Sequence, residues 1–199
     1  QLYDRLGRDR YTSLDNEMYE TSVVEGVNLI ITRQTALGEL KLTLADRKLD
    51  WDDQLDMDGT PHYIFHTARH TSYSSKTLEL QLTGSNDFMS YVAGYYSFDD
   101  DAFTANPQSG FLGGFAIDQK YSGGGDATAF YAQATFDIGD RTDITVGTRR
   151  TEEDKEGYAS YSGFWTVDQE RSDSNTSNTF IISHELSDTT NIYAKAADG

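Results

Sequence analysis

Single apolar and polar residues alternate along several stretches of the chain, which is the pattern of β-strands with two unlike faces. Residues 39–45 and 77–83 carry leucine at every second position, between polar residues and alanine. Neither stretch has the wider apolar stripe of an amphipathic helix. Weaker versions of this alternation occupy 24–35, 91–98, 130–136, 143–149, 180–186 and 192–196. The sequence therefore predicts about eight antiparallel strands.

The links between these strands fall into two alternating length classes. Short links, rich in the residues that favour tight hairpins, lie at 36–39, 85–87, 139–141 and 187–189. Long, polar and acidic links lie at 49–74, 99–126 and 152–176. Short turns at one end and long loops at the other are typical of transmembrane β-barrels. We therefore predict an all-β fold, an antiparallel transmembrane β-barrel segment with short periplasmic turns and long extracellular loops.

The polar faces of these strands favour a barrel over a soluble sandwich. Lys41, Glu79, Gln81 and Arg149 would be costly in a sandwich core but are compatible with a wet lumen. The apolar face is accordingly assigned to lipid. Aromatic residues near strand ends, as at 95–98, fit an interfacial girdle, although ordinary sheet aromatics remain an alternative.

Composition supports strands and excludes several function classes. The chain has 13 Tyr, 10 Phe and 17 Gly but only 2 Pro, a mixture that suits pleated sheets and turns. A formal charge of -17 would repel phosphate backbones, so nucleic-acid binding is not expected. No apolar stretch reaches the length of a membrane-spanning helix, so any membrane crossing must use strands. The absence of cysteine excludes disulfides, thiol catalysis and cysteine-bound zinc.

Five segments resemble, in the same order, barrel strands of TonB-dependent receptors. They are TLELQLTGS at 77–85, YVAGYY at 91–96, FYAQATFD at 130–137, ITVGTRRTEEDK at 144–155 and SHELSDTTNIYAKAADG at 183–199. The resemblance extends over roughly residues 23–199. Two positions depart from the family pattern, because His184 stands where an aromatic residue is usual and Arg150 where tyrosine is more usual.

The resemblance implies a partial receptor barrel over residues 1–199, with 1–22 in an outer loop. The chain opens on Gln1 and stops directly after a strand, so we expect an internal fragment without the plug domain. The implied function is uptake of an iron complex such as a siderophore across the outer membrane of a Gram-negative bacterium. The implied partners are outer-membrane lipid, an iron complex or another scarce solute, and the inner-membrane TonB complex acting through the plug.

Other functions remain open at this stage. One is a small, complete outer-membrane barrel acting as an adhesin or structural anchor, and others are an outer-membrane hydrolase or a soluble β-sandwich binding module. No Gly-x-Ser-x-Gly motif or other catalytic constellation is present, so we predict no enzyme and no cofactor. Substrate-binding residues cannot be assigned by motif, but five aromatic side chains of the long links are candidates for solute contact: Tyr63, Tyr121, Tyr158, Tyr161 and Trp165.

Histidine spacing raises the possibility of a metal site. His62, His66 and His70 recur every four residues, which would align three imidazoles along a helix. In a strand, residues four apart are separated by about 13 Å. Because a strand is expected at this point, we assign no metal ligands.

Acidic and glycine-rich clusters are interpreted as parts of loops. The carboxylates at 50–58 lack the spacing of an EF-hand, and we expect solvated loop charge there. The clusters 99–101 and 152–154 are interpreted in the same way, with divalent-cation binding as the alternative. The glycines at 113–114 and 123–125 lack the context of a phosphate loop and are expected to be flexible.

Overall fold

All eight predicted strands are present in a single antiparallel sheet. The structure, a computed structural model, describes residues 14–162 and 164–199. Its elements are β1 (Tyr19–Thr35), β2 (Gly38–Asp56), β3 (Phe65–Asn86), β4 (Met89–Gly110), a 3-10 turn (Phe111–Gly113), β5 (Phe115–Asp137), β6 (Thr142–Tyr161), β7 (Trp165–Ser187) and β8 (Thr190–Ala197). Each strand pairs with its neighbours in sequence, so β1 and β8 are the edges of the described sheet.

This topology confirms the predicted fold class. The soluble β-sandwich alternative is wrong, because a sandwich needs two packed sheets and the described strands all belong to one. Within the described ranges, no helix is long and apolar enough to cross a membrane.

The short links are tight hairpins, as predicted. Between β3 and β4, the Asn86 side-chain oxygen accepts hydrogen bonds from the N–H groups of Phe88 and Met89, both at 3.1 Å. Between β1 and β2, Gly38 has φ of 116°, and a Cβ there would lie 2.2 Å from the carbonyl oxygen of Thr83. Only glycine fits this position, which explains why the hairpin sequence contains it.

The predicted long links are long hairpins rather than long irregular loops. Most of 49–74, 99–126 and 152–176 is paired strand, and the connections proper are 57–64, 111–114 and 162–164. Alternation of apolar and polar residues fades in these stretches because polar residues occupy both faces. Backbone pairing continues without that signal, so a pattern based on side-chain polarity cannot detect it.

Two further expectations are corrected by the strand boundaries. The glycines at 123–125 lie inside β5, where they pair with residues 100–102 of β4, and are therefore not a flexible loop. The predicted outer loop 1–22 includes Tyr19–Ser22, which belong to β1. Residues 1–13 lie outside the described part of the chain.

The pairing register separates two faces. Laterally paired residues point to the same side of a sheet. One transverse row is apolar and consists of Ile31, Leu42, Leu80, Tyr95 and Phe130. The adjacent row consists of Ile30, Thr43, Glu79, Tyr96 and Ala129. We call the side of Leu42 the outer face and the side of Glu79 the inner face.

Candidate functional site on the inner face

A hydrogen-bonded polar group lies at the middle of the inner face. The Tyr131 hydroxyl donates to Glu79 Oε1 at 2.8 Å, and Gln81 Nε2 donates to the Tyr131 oxygen at 3.1 Å. The Arg149 guanidinium lies over the rings of Tyr96 and Tyr131, at 5.7 and 5.9 Å from their centroids. These side chains come from β3, β4, β5 and β6, so the antiparallel register assembles them. The inner face therefore presents charge and hydrogen-bonding groups, as predicted for a lumen.

A second group, which we call the amide cluster, lies nearer the long-hairpin end. Its members are Thr67, Asn106, Gln108, Gln119 and Tyr121. The Thr67 hydroxyl donates to Asn106 Oδ1 at 2.7 Å. Gln119 Oε1 accepts from Asn106 Nδ2 at 3.2 Å, Gln108 Nε2 at 3.4 Å and the Tyr121 hydroxyl at 2.9 Å. Three donors thus fix the orientation of the Gln119 amide through its oxygen, while its Nε2 carries two N–H donors of its own.

An aromatic pair continues the amide cluster across the sheet. In the register, Gln119 pairs with Tyr161, and Tyr161 pairs with Trp165. The Tyr161 and Trp165 rings stack with centroids 6.1 Å apart and planes inclined by 3°. The transverse row from Asn106 to Trp165 therefore combines amide donors and acceptors with a flat aromatic surface.

The sequence predicted this region only in part. Of its five aromatic candidates, Tyr121, Tyr161 and Trp165 share the inner face, whereas Tyr158 lies on the outer face. Tyr63 lies in the β2–β3 connection, and the centroid of its ring is 4.6 Å from that of the His66 ring. The amides were missed because nothing in their local sequence marks them; strand periodicity around Tyr121 would have pointed to Gln119, two residues away.

An ion pair whose carboxylate is buried borders the amide cluster on β2 and β3. Asp53 is only 3% exposed, and its two carboxylate oxygens accept from Arg69 Nε at 3.1 and 3.2 Å. Arg69 also lies over the Trp51 ring, 4.6 Å from its centroid. The hydrogen bonds that Arg69 donates to Asp53, together with the charge of that carboxylate, raise the pKa of Arg69 against the opposing effect of desolvation. The prediction of solvated charge is thus wrong for Asp53, and also for Asp56, which is 7% exposed.

The three histidines are not brought together, in agreement with their expected extended spacing. His62 lies in the β2–β3 connection, while His66 and His70 lie in β3. His66 Nε2 is 2.7 Å from Asp15 Oδ1, and His70 Nδ1 is 2.8 Å from Asp52 Oδ1. Each imidazole therefore has its own carboxylate partner.

The other acidic clusters lie on paired strands. Asp99, Asp126 and Asp154 are in register across β4, β5 and β6 on the outer face. Carboxylates directly opposite one another repel, so this row weakens pairing locally. Lys76, which pairs with Asp99, offsets part of that repulsion.

The β2–β3 connection is organised by one carboxylate. Asp58 Oδ1 accepts from the Thr60 hydroxyl and N–H, and Oδ2 accepts from the Phe65 N–H at 2.8 Å. The Thr60 side-chain hydrogen bond lowers the pKa of Asp58 below its ordinary value of 3.8; desolvation opposes this shift, and the backbone donors add to it.

We expect the β2–β3 connection to loosen in acid. The folded state holds Asp58 ionised, so its stabilisation is complete above the ordinary pKa of 3.8 and is lost as the pH falls through the lower folded value. Replacing Thr60 with valine should move the titration of Asp58 back toward 3.8. A carboxyl-carbon NMR titration measures this directly, and an unchanged midpoint in the variant would contradict the assigned cause.

Comparisons with known proteins identify the fold. No protein-family model and no curated protein sequence matches this chain. The ferric yersiniabactin uptake receptor FyuA from Yersinia pestis superposes with a TM-score of 0.74 at 15% identity, covering 89% of this chain and 28% of that one. The unliganded ferric citrate transporter FecA superposes with a TM-score of 0.67 at 14% identity, covering 89% of this chain and 27% of that one. The copper transporter OprC superposes with a TM-score of 0.67 at 13% identity, covering 91% of this chain and 31% of that one.

These similarities concern architecture. The chain spans less than a third of the length of each of these three structures. Its eight strands have the fold of a TonB-dependent receptor barrel wall, as the five resembling segments predicted.

Proposed function

We propose that this chain is part of an outer-membrane TonB-dependent receptor that takes up an iron complex such as a siderophore. The observation that carries the proposal is the inner-face row of Asn106, Gln119, Tyr161 and Trp165 on a sheet with this fold. Two of the similar structures are named for ferric complexes, which favours an iron complex over other solutes.

The inner face supplies the contacts that such a solute needs. Iron chelates expose oxygen atoms, which can accept hydrogen bonds from the Gln119 amide and from Arg69. The stacked Tyr161 and Trp165 rings offer a flat surface for an aromatic or apolar part of the ligand. These groups bind and orient the solute without changing its covalent bonds, so the proposed role is transport and not catalysis.

The outer face and the sheet edges account for the remaining proposed partners. Exposed apolar residues such as Leu80 and Phe130 would contact outer-membrane lipid. The unpaired backbone groups of β1 and β8 would be satisfied by further barrel strands, because open edges are not tolerated in lipid. A plug domain coupled to the inner-membrane TonB complex would transmit the energy that releases the bound solute.

Disruption of the gene tests the proposal. The strain lacking the full-length protein should fail to accumulate radioactive iron presented as one particular chelate, and the plasmid-borne gene should restore uptake. A proton uncoupler should abolish the restored uptake, because the energy is proposed to come from the inner membrane. Unchanged uptake of every iron chelate, together with loss of adhesion or of envelope integrity, would instead support a structural or adhesive barrel.

Replacing Gln119 with alanine is expected to weaken binding of the transported chelate about tenfold. The change removes one solute donor and disrupts the acceptor that orders three neighbours, an effect of about 1–2 kcal/mol. The matched control is Lys120→Ala, because Lys120 is adjacent in β5 but lies on the outer face in an exposed pair with Asp118. Equal losses in the two variants, measured by equilibrium binding to the full-length receptor, would exclude the amide cluster as the site.

A further inference from the structure

Three potential metal-ligating side chains converge at the tip of the β2–β3 hairpin. Asp15 precedes β1, Asp56 ends β2, and His66 lies in β3 directly opposite Asp56. One ligand atom from each lies within 4.8 Å of the others. Among residues 14–162 and 164–199, no second group of three such side chains meets this condition.

Neighbouring side chains hold the segment that carries Asp15 against the hairpin. Gln54 Nε2 donates to Asn16 Oδ1 at 2.7 Å and to the Glu17 carbonyl at 3.3 Å. The Asn16 amide nitrogen is 3.4 Å from His66 Nδ1. The Nε2 atom of His66 is thereby directed toward Asp15, 2.7 Å away. The arrangement is therefore fixed by contacts outside the three ligating groups.

Asp56 supplies an independent indication of a cation-binding site. It is 7% exposed, yet none of the ion pairs in the described chain includes it. Its Oδ1 accepts from the N–H groups of Asp58 and Gly59, but the hydrogen bond to Oδ2, from the Asp15 N–H, is long at 3.4 Å. Buried carboxylates are ordinarily paired with a cation or bound to a metal.

We propose that Asp15, Asp56 and His66 bind one first-row divalent transition-metal ion, of which Zn²⁺ is the representative. Two carboxylates and an imidazole, with water as a fourth ligand, form a common donor set for this class. Carboxylate and imidazole bonds to zinc of about 2.0–2.2 Å need ligand atoms roughly 3.3 Å apart, so the three groups have to move only slightly. Mg²⁺ and Ca²⁺ prefer oxygen ligands alone and bind this set weakly.

The site would fasten the segment before β1 to the hairpin tip. Asp56 and His66 share the outer-face parity of Leu42 and Leu80, so the ion lies on the opposite side of the sheet from the amide cluster. The proposal therefore does not depend on the proposed transport function, and loss of the metal need not abolish solute binding.

The same strand provides a matched control. His70 pairs with Asp52 at 2.8 Å, much as His66 pairs with Asp15, but both side chains are 49% exposed and no third ligand joins them among the residues that the structure describes. If zinc were attracted merely by an exposed His–Asp pair, substitution of His66 and substitution of His70 would weaken zinc binding equally.

Zinc titration of the full-length protein in detergent, by calorimetry with Zn²⁺ alone, tests the site. We expect one saturable ion per chain, at least tenfold weaker binding in Asp56→Asn and His66→Ala, and a change below twofold in His70→Ala. Millimolar Mg²⁺ should not displace the ion. Absence of a saturable ion, or equal weakening in His66→Ala and His70→Ala, would overturn the proposal.

A second variant keeps the test independent of folding. Asp15 lies outside the sheet and asparagine keeps a side-chain oxygen for the contact with His66, so Asp15→Asn should change the melting temperature of the metal-free protein little while weakening zinc binding at least tenfold. Zinc should also raise the melting temperature of the native protein but not that of the variant, since only a folded-state ligand stabilises. Wild-type zinc affinity in Asp15→Asn would exclude Asp15 as a ligand and overturn the three-ligand site.

Discussion

Replacing Arg69 with alanine is expected to lower the free energy of unfolding by about 2–3 kcal/mol. Asp53, which is 3% exposed, would be left as a buried carboxylate without its cation. Removing one partner of a fully buried pair costs roughly 3–5 kcal/mol, and the cost is lower here because the Arg69 side chain is 37% exposed. Loss of the packing of Arg69 over Trp51 adds to the effect. Urea unfolding of the full-length protein in lipid vesicles measures the difference.

Substituting Asp53 instead of Arg69 should destabilise the protein less, because the two partners differ in exposure. In Asp53→Asn, the guanidinium of Arg69 can still reach water, so we expect a loss of about 1 kcal/mol. Arg69→Ala should then cost less in the Asp53→Asn background than alone, giving a coupling of about 1 kcal/mol or more. Arg171→Ala is the exposed control: its pair with Asp173 has side chains 76% and 45% exposed, so its loss should leave the free energy of unfolding nearly unchanged. Equal effects of Arg69→Ala and Arg171→Ala would show that the Asp53 pair is not buried.

The fold was predictable because side chains of a β-strand alternate between two faces, and in this sheet the two faces differ in polarity. Leucine recurs at every second position around Leu42 and around Leu80, which is the pattern of strands with one apolar and one polar face. Turn chemistry, as at Gly38 and Asn86, located the hairpins independently. Agreement between periodicity and turn residues was sufficient to predict strand number, order and the two faces.

The functional groups were harder to predict because they are assembled by register. Asp53 and Arg69 were interpreted as separate loop residues, yet the register that pairs Leu42 with Leu80 pairs these two as well when continued along both strands. The same continuation places Asp56 opposite His66. The sequence did not indicate that strand pairing continues beyond the alternating stretches, where both faces carry polar residues. The position of Asp15 against this hairpin could not be predicted, because no periodic pattern describes the segment before β1.

Replacing Leu42 with arginine is expected to destabilise the protein by about 2–4 kcal/mol in lipid vesicles, whereas arginine at the adjacent Thr43 should cost less than about 1 kcal/mol. Leu42 lies in the apolar row between Ile31 and Leu80, and the proposed outer-membrane location would place an arginine there in hydrocarbon. Thr43 is on the inner face opposite Glu79, where an arginine meets water and a carboxylate. Urea unfolding of both full-length variants provides the comparison.

The paired design separates the effect of face from that of strand position. Both substitutions introduce the same side chain at neighbouring positions of β2, so strand propensity and backbone strain are nearly matched. If Thr43→Arg were the more damaging change, the faces would be reversed and Glu79 would point to lipid. Equal effects would indicate that both faces contact water, which contradicts a membrane-embedded wall. A selective loss at Leu42 would also place the amide cluster, on the side of Thr43, within reach of a solute inside the barrel.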